Sequence, residues 1–154
     1  MEELYCPKET VDLIFSEGAI DAIGFEKGLK YWYQFIKKDS YVAVTCPSGL
    51  SRERPKEVEK FWSEAGSSLD SVDRNISIMQ EIGFSHIATF VLPEKDWTEN
   101  YFIPRAAGEE KLLEKYAGNQ LVSDYVAQDK YEARLYQSYQ QSYGYVFYIG
   151  KKLG

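Results

Sequence analysis

Four short runs of β-branched and aromatic residues punctuate this chain, each bounded by Gly, Pro, Ser or Asp, and the pattern reads as four strands. They are Val11 to Phe15, Tyr41 to Thr45, His86 to Val91 and Tyr145 to Ile149. The first run is apolar apart from Asp12 and leads into Ser16-Glu17-Gly18, the pattern of a buried parallel strand that ends at a ligand crevice. Between the first two runs, Phe25, Leu29, Trp32 and Ile36 recur at helical spacing, which predicts an amphipathic helix from Gly24 to Lys38. Strand, helix and strand at this length make a βαβ unit, whose crossover is right-handed.

Further along, Pro47-Ser48-Gly49 opens a loop, and Pro55 suits the first turn of a helix containing Val58, Phe61 and Trp62. Either Ser71 or Asp73 is placed to cap another helix, which runs through Ile76, Met79, Gln80 and Ile82 and ends at Gly83. From Glu94 to Gly144 no strand signal occurs. That stretch predicts a short helical segment from Trp97 to Phe102 stopped by Pro104, a second helix from Glu109 to Tyr116, and a long one from Asn119 to Tyr143 ended by Gly144. With no repeat and no linker, residues 1–154 read as one domain carrying a helical insertion over residues 94–143.

Length and charge narrow the function classes. A chain of 154 residues is long enough for one domain with a real core. No apolar run approaches the roughly 20 residues that cross a bilayer, and no signal-peptide pattern follows Met1, so no membrane partner is expected and the cytoplasm is the expected compartment. A net charge of −6 argues against a nucleic-acid binder that neutralises phosphates. Cys6 and Cys46 have neither zinc spacing nor a disulfide framework and read as packing residues in a reducing compartment.

Portable catalytic motifs are absent. His86 is the only histidine and, at the start of an apolar strand, reads as structural. No metal cluster and no Ser-His-Asp arrangement can be assembled from this inventory. Arg52 and Arg54 read as exposed or helix-capping charges, and Tyr125, Tyr131, Tyr136, Tyr139 and Tyr143 as residues cementing the long helix to the sheet. Neither G-x-G-x-x-G nor D-x-G-x-G occurs; the eleven glycines are scattered singly.

Several blocks in order nevertheless carry a family resemblance. They are Ser16-Glu17-Gly18-Ala19-Ile20 with Ile23 to Gly28, Arg54-Pro55 with Phe61-Trp62, Leu92-Pro93-Glu94 with Trp97 to Phe102, and Tyr143 to Gly150. Together they resemble the C-terminal part of a class I S-adenosylmethionine-dependent methyltransferase of the small-molecule group. The resemblance implies an α/β fold: a partial Rossmann-like sheet with strands equivalent to 4-5-7-6, the last antiparallel, helices on its faces and a helical insertion before the last strand. The family's first three strands, with the glycine loop, ribose-binding acid and adenine contacts, have no counterpart in the sequence, which reads as beginning halfway through the fold.

The site expectations follow from that resemblance. Ser16, Glu17 and Gly18 would line the strand-4 side of the cofactor crevice, the alternative being a strand-to-helix turn shaped by Gly18 and capped by Glu17. Trp97, Tyr101 and Phe102 would close over a small-molecule acceptor, or equally pack the insertion. No catalytic residue is assigned. The implied cofactor is S-adenosylmethionine, although this chain alone is not expected to bind it. Val11 to Phe15 would form an unprotected sheet edge, covered by a second copy in a homodimer or by a separate N-terminal half. The implied function is that of a methyltransferase-family protein incomplete as an isolated chain; the alternative is a truncated, non-catalytic module that dimerises or binds a partner through that edge.

Overall fold

Residues 4–154 are described by a computed structural model. They form two compact units, one comprising residues up to 91 together with 141–154, the other residues 92–140.

The first unit is built on one four-stranded sheet. Strand β1 (Val11–Ser16) pairs in parallel with β2 (Ile36–Gly49), and β4 (Tyr143–Lys152) lies antiparallel between β2 and β3 (Phe84–Val91). The order β1-β2-β4-β3 is the one expected, with the last strand reversed. Helices α1 (Phe25–Tyr33), α2 (Lys56–Glu64) and α3 (Val72–Ile82) complete this unit. Strand alternation sends Val42, Val44, Cys46, Val146 and Tyr148 into a core shared with Phe25, Leu29 and Trp32 of α1 and Ile78 and Met79 of α3. Leu13, Phe15, Tyr41 and Phe90 have the opposite register and lie on the other face, where Leu13 is 52% and Phe15 58% exposed.

Local chemistry accounts for most boundaries. Ser71, rather than Asp73, caps α3 by accepting from the Arg74 amide at 3.2 Å. Gly83 ends the helix in the left-handed region at φ 114°, which a residue with a Cβ rarely adopts. Pro55 stands at the N-cap of α2, and Trp62 in its last turn meets the ring of Tyr143 edge-on at 5.8 Å.

Three expected boundaries are corrected. The first helix stops at Tyr33, not Lys38, and Ile36 enters the sheet opposite Val11. The cause is distant in sequence: the buried Lys152 ammonium donates to the carbonyls of Tyr33 at 3.1 Å and Ile36 at 2.8 Å. Lys152 thereby satisfies carbonyls that further helical turns would have claimed. Pro104 does not stop the segment before it. Helix α4 (Glu94–Trp97) passes through a π-helical turn (Thr98–Phe102) into α5 (Ile103–Lys115), and Pro104, the second residue of α5, follows directly on that turn. Gly144 does not end the long helix either. Helix α6 (Gln120–Tyr139) finishes earlier, and Gly144 lies inside β4 opposite Ser48.

The second unit holds α4, the π turn, α5 and α6, and contains no strand. Tyr136 of α6 stacks on Trp97 at 4.3 Å and meets Phe102 at 5.8 Å, so it packs inside this unit, while Tyr125 is 55% exposed. Tyr143 is not helical at all; it is the first residue of β4.

Candidate functional site

The carboxyl end of β1 carries Ser16, Glu17 and Gly18. Open α/β sheets place ligands at this end of their strands. Ser16 is 6% exposed, and its Oγ has no hydrogen-bond partner. Glu17 points its exposure to solvent. Gly18 sits at φ 56°, and its amide donates to Thr45 Oγ of β2 at 2.6 Å. A Cβ built on Gly18 would meet nothing within 4 Å, so the backbone conformation, not crowding, calls for glycine there. The chain then makes a 3₁₀ turn (Ile20–Ala22) before α1, and neither element receives a side-chain cap. Glu17 therefore caps no helix.

A second polar cluster lies on the helix-covered face of the sheet. Ser48 Oγ and Tyr148 OH are 2.7 Å apart, and Asn75 Nδ2 of α3 donates to both, at 3.3 and 3.2 Å. Burial pushes the Cys46 thiol and the Tyr148 phenol each up to about 12. Both keep their protons near neutral pH, so neither serves as a nucleophile or base. Sequence reasoning missed this cluster, because Asn75, Cys46 and Tyr148 lie on three separate elements and share no spacing signal.

The helical unit is organised around Arg105. Its side chain donates to Tyr101 OH at 2.8 Å, Glu132 Oε2 at 2.7 Å and the Asp129 carbonyl at 2.8 Å, and lies 3.3 Å from Glu109 Oε1. Burial, followed by the hydrogen bond with Asp129, holds the Glu109 carboxyl above the usual carboxylate range. Trp97 is 3% exposed against Tyr136 and Phe102, whereas Tyr101 is 46% exposed. The spacing of Tyr101, Arg105 and Glu109 at four-residue steps was a readable signal for this network.

The remaining candidates have structural partners. His86 Nε2 is 2.7 Å from Thr89 Oγ within β3. Arg54 pairs with Glu59 at 3.4 Å. Among the described residues no group of His, Cys, Asp and Glu is arranged to hold a metal ion, and no helix is long and apolar enough to cross a membrane.

No protein-family model and no curated protein matches the sequence. Solved structures do match. One is a SAM-dependent methyltransferase from Geobacter sulfurreducens in complex with S-adenosyl-L-homocysteine, with a TM-score of 0.75 and 14% identity over 95% of this chain and 59% of that one. Another is phosphoethanolamine N-methyltransferase 2 from Haemonchus contortus in complex with S-adenosyl-L-methionine, with a TM-score of 0.70 and 18% identity over 96% of this chain and 34% of that one. A third is the [4+2]-cyclase SpnF, with a TM-score of 0.68 and 13% identity over 99% of this chain and 54% of that one. The chain thus has the fold of the C-terminal part of a SAM-dependent methyltransferase and spans about a third to three-fifths of the length of these structures. A cyclase among them shows that this fold alone does not specify a reaction.

Proposed function

We propose that this chain supplies the acceptor-side portion of a SAM-dependent small-molecule methyltransferase, and that the free edge of β1 receives the donor-binding portion. The observation that carries this reading is the placement of β1 at the end of the sheet, with an unpartnered Ser16 hydroxyl and the Gly18 turn at its carboxyl end. In a doubly wound sheet such a strand borders the crevice where the two halves meet. The likeness to structures holding S-adenosylmethionine or S-adenosylhomocysteine supports the same reading.

The residues present fit one wall of a cofactor site. Ser16 offers a buried hydroxyl, but the Gly18 amide is already engaged by Thr45, and no glycine-rich turn with free amides occurs among the described residues. S-Adenosylmethionine would supply the electrophilic methyl group; Ser16, Glu17 and Gly18 would contact it from the strand-4 side. In this family the protein chiefly aligns acceptor and methyl group, so positioning matters more than acid–base chemistry. Trp97, Tyr101 and Phe102 would be the acceptor-side residues. Tyr101 has the most accessible ring of the three, whereas Trp97 is committed to its stack with Tyr136.

Titration calorimetry tests the reading. The chain by itself should give no measurable heat with S-adenosylmethionine, and binding should appear once a donor-binding portion, covalently continuous or added, pairs with β1. Micromolar binding by the chain alone would sink this division of labour. The exposed Leu13 and Phe15 also favour a second reading, a non-catalytic module whose β1 edges pair between two copies. Light scattering separates the two: a stable dimer that persists in the presence of the donor-binding portion supports the second.

A further inference from the structure

Helices α5 and α6 meet around one guanidinium with more carboxyl groups than it can neutralise. Arg105 faces Glu109 on its own helix and Asp129 and Glu132 on α6, with side-chain exposures of 16%, 6%, 14% and 16%. Hydrogen bonds to Tyr101 and Glu132 occupy both N–H groups of its Nη1, and Nη2 donates to the Asp129 carbonyl. Nε has a single hydrogen and two carboxyl oxygens beside it, Glu109 Oε1 at 3.3 Å and Asp129 Oδ2 at 3.6 Å.

Asp129 Oδ2 is enclosed and has no hydrogen-bond partner. Enclosure keeps solvent from it, so its donor has to come from the protein, and an enclosed acceptor without one is costly. Tyr125 of α6 hydrogen-bonds the same carboxyl group, and Oδ2 is still left over. Glu109 lies within hydrogen-bond reach of Asp129 and can carry the missing hydrogen. Lys130, the other cation near Glu109, is exposed on α6. With every group ionised, three carboxylates would therefore face one guanidinium. Burial pushes the Glu109 carboxyl up, in the direction this hydrogen count requires.

We propose that Glu109 and Asp129 share one proton across the contact between α5 and α6, and that this proton latches the two helices together. The hydrogen sits on Glu109 and is donated to Asp129 Oδ2, while Glu109 Oε1 accepts from Arg105 Nε. When the proton leaves to solvent, Oδ2 loses its donor, two carboxylates face each other beside the same Nε, and α5 loosens from α6. The helical unit is thus closed at acid pH and opens as the pH rises. In the opened state Glu109 returns to its ordinary 4.5. Above that pH the opening equilibrium rises by up to about tenfold per pH unit, and it levels once the closed state has also lost the proton. The device lies wholly within the helical unit and does not depend on the methyltransferase reading.

The test is carbon NMR of the side-chain carboxyl groups of the full chain from roughly pH 4 to 9, read together with amide-exchange protection in α5 and α6. Glu109 should titrate above the exposed glutamates, and the Asp129 carboxyl signal should move with it. Protection in α5 and α6, corrected for the intrinsic exchange rate, should fall through the same range while α1 and α3 keep theirs. Glu109→Gln, whose amide donates to Asp129 but has no proton to lose, should make that protection independent of pH. Asp129→Asn should lower the Glu109 midpoint. A Glu109 titration that coincides with the exposed glutamates, or α5 and α6 protection that does not change as Glu109 ionises, would overturn the proposal. Should either variant fail to fold, the two titrations on the unaltered chain decide alone.

Discussion

Lys152 shows how much one residue organises. It is 5% exposed, yet its ammonium has the Tyr33 and Ile36 carbonyls, the Glu9 carboxylate at 3.3 Å and the Tyr33 ring at 4.5 Å around it. Lys152→Met keeps the stem but orphans two carbonyls, and urea unfolding should show a loss of about 2–4 kcal/mol. Cys46 is the second case. With its thiol held at about 12 and buried, only Cys6 should react with a thiol reagent at pH 8 in the native chain, and both cysteines after denaturation. The same shift has a sign for stability. A folded value above the ordinary 9.0 means the folded state holds the proton longer. The stability this confers is complete below pH 9 and disappears as the pH rises towards 12. Tyr148, with an ordinary value of 10.0 and a folded one of about 12, adds to that alkaline loss. Tyr148→Phe should flatten the decline of melting temperature across this window.

Among the elements, the pair α5 and α6 has the most exacting electrostatics. Arg105 faces Glu109, Asp129 and Glu132 from within the helical unit, with side-chain exposures of 16% or less throughout. Arg105→Met leaves three carboxylates facing one another, and the helical unit should lose roughly 3 kcal/mol, read as faster proteolysis within residues 92–140. Glu109 works in the opposite sense. Because its folded value is raised, its contribution to stability is complete at acid pH and is lost as the pH climbs above 4.5 through that raised value. Glu109→Gln keeps the hydrogen bond without the charge and should flatten the pH dependence of unfolding in that range. At the end of α3, a Cβ on Gly83 would meet Tyr33 OH at 2.9 Å and would also have to adopt φ 114°. Gly83→Ala should therefore destabilise the sheet-bearing unit by about 1–3 kcal/mol, combining backbone strain with the clash.

At the scale of the whole molecule, the consequential feature is the free edge of β1. Leu13 and Phe15 are more than half exposed there, and Asp12, bound to Lys37 at 2.9 Å, is the strand's one charge. An edge of this composition invites pairing. Replacing Leu13 and Phe15 by lysine should reduce self-association at high concentration, measured by light scattering, with no change in the melting of α1 or α3. Amide exchange supplies the complementary reading. The outward-facing β1 amides should exchange quickly in the isolated chain and become protected once a donor-binding portion is added. Exchange that is slow from the outset, in a clean monomer, would mean that the edge needs no partner.

The four strands, the identity of three helices and the Gly83 helix end were legible in the sequence, with Ser71 as one of two candidate caps, because alternation, helical spacing, caps and glycine conformation are local properties; the strand order was legible only through the family resemblance. Even the Arg105 network left a four-residue spacing to read. The end of α1, the passage through Pro104 and the placement of Gly144 were not legible. Each depends on a partner far along the chain or on a neighbouring turn: the Lys152 ammonium, the π-helical turn, and Ser48 of β2. The same holds for the buried cluster of Ser48, Asn75 and Tyr148, whose members come from two strands and a helix. Backbone periodicity is written residue by residue, but which distant polar groups satisfy one another is settled only when burial makes an unpaired group costly.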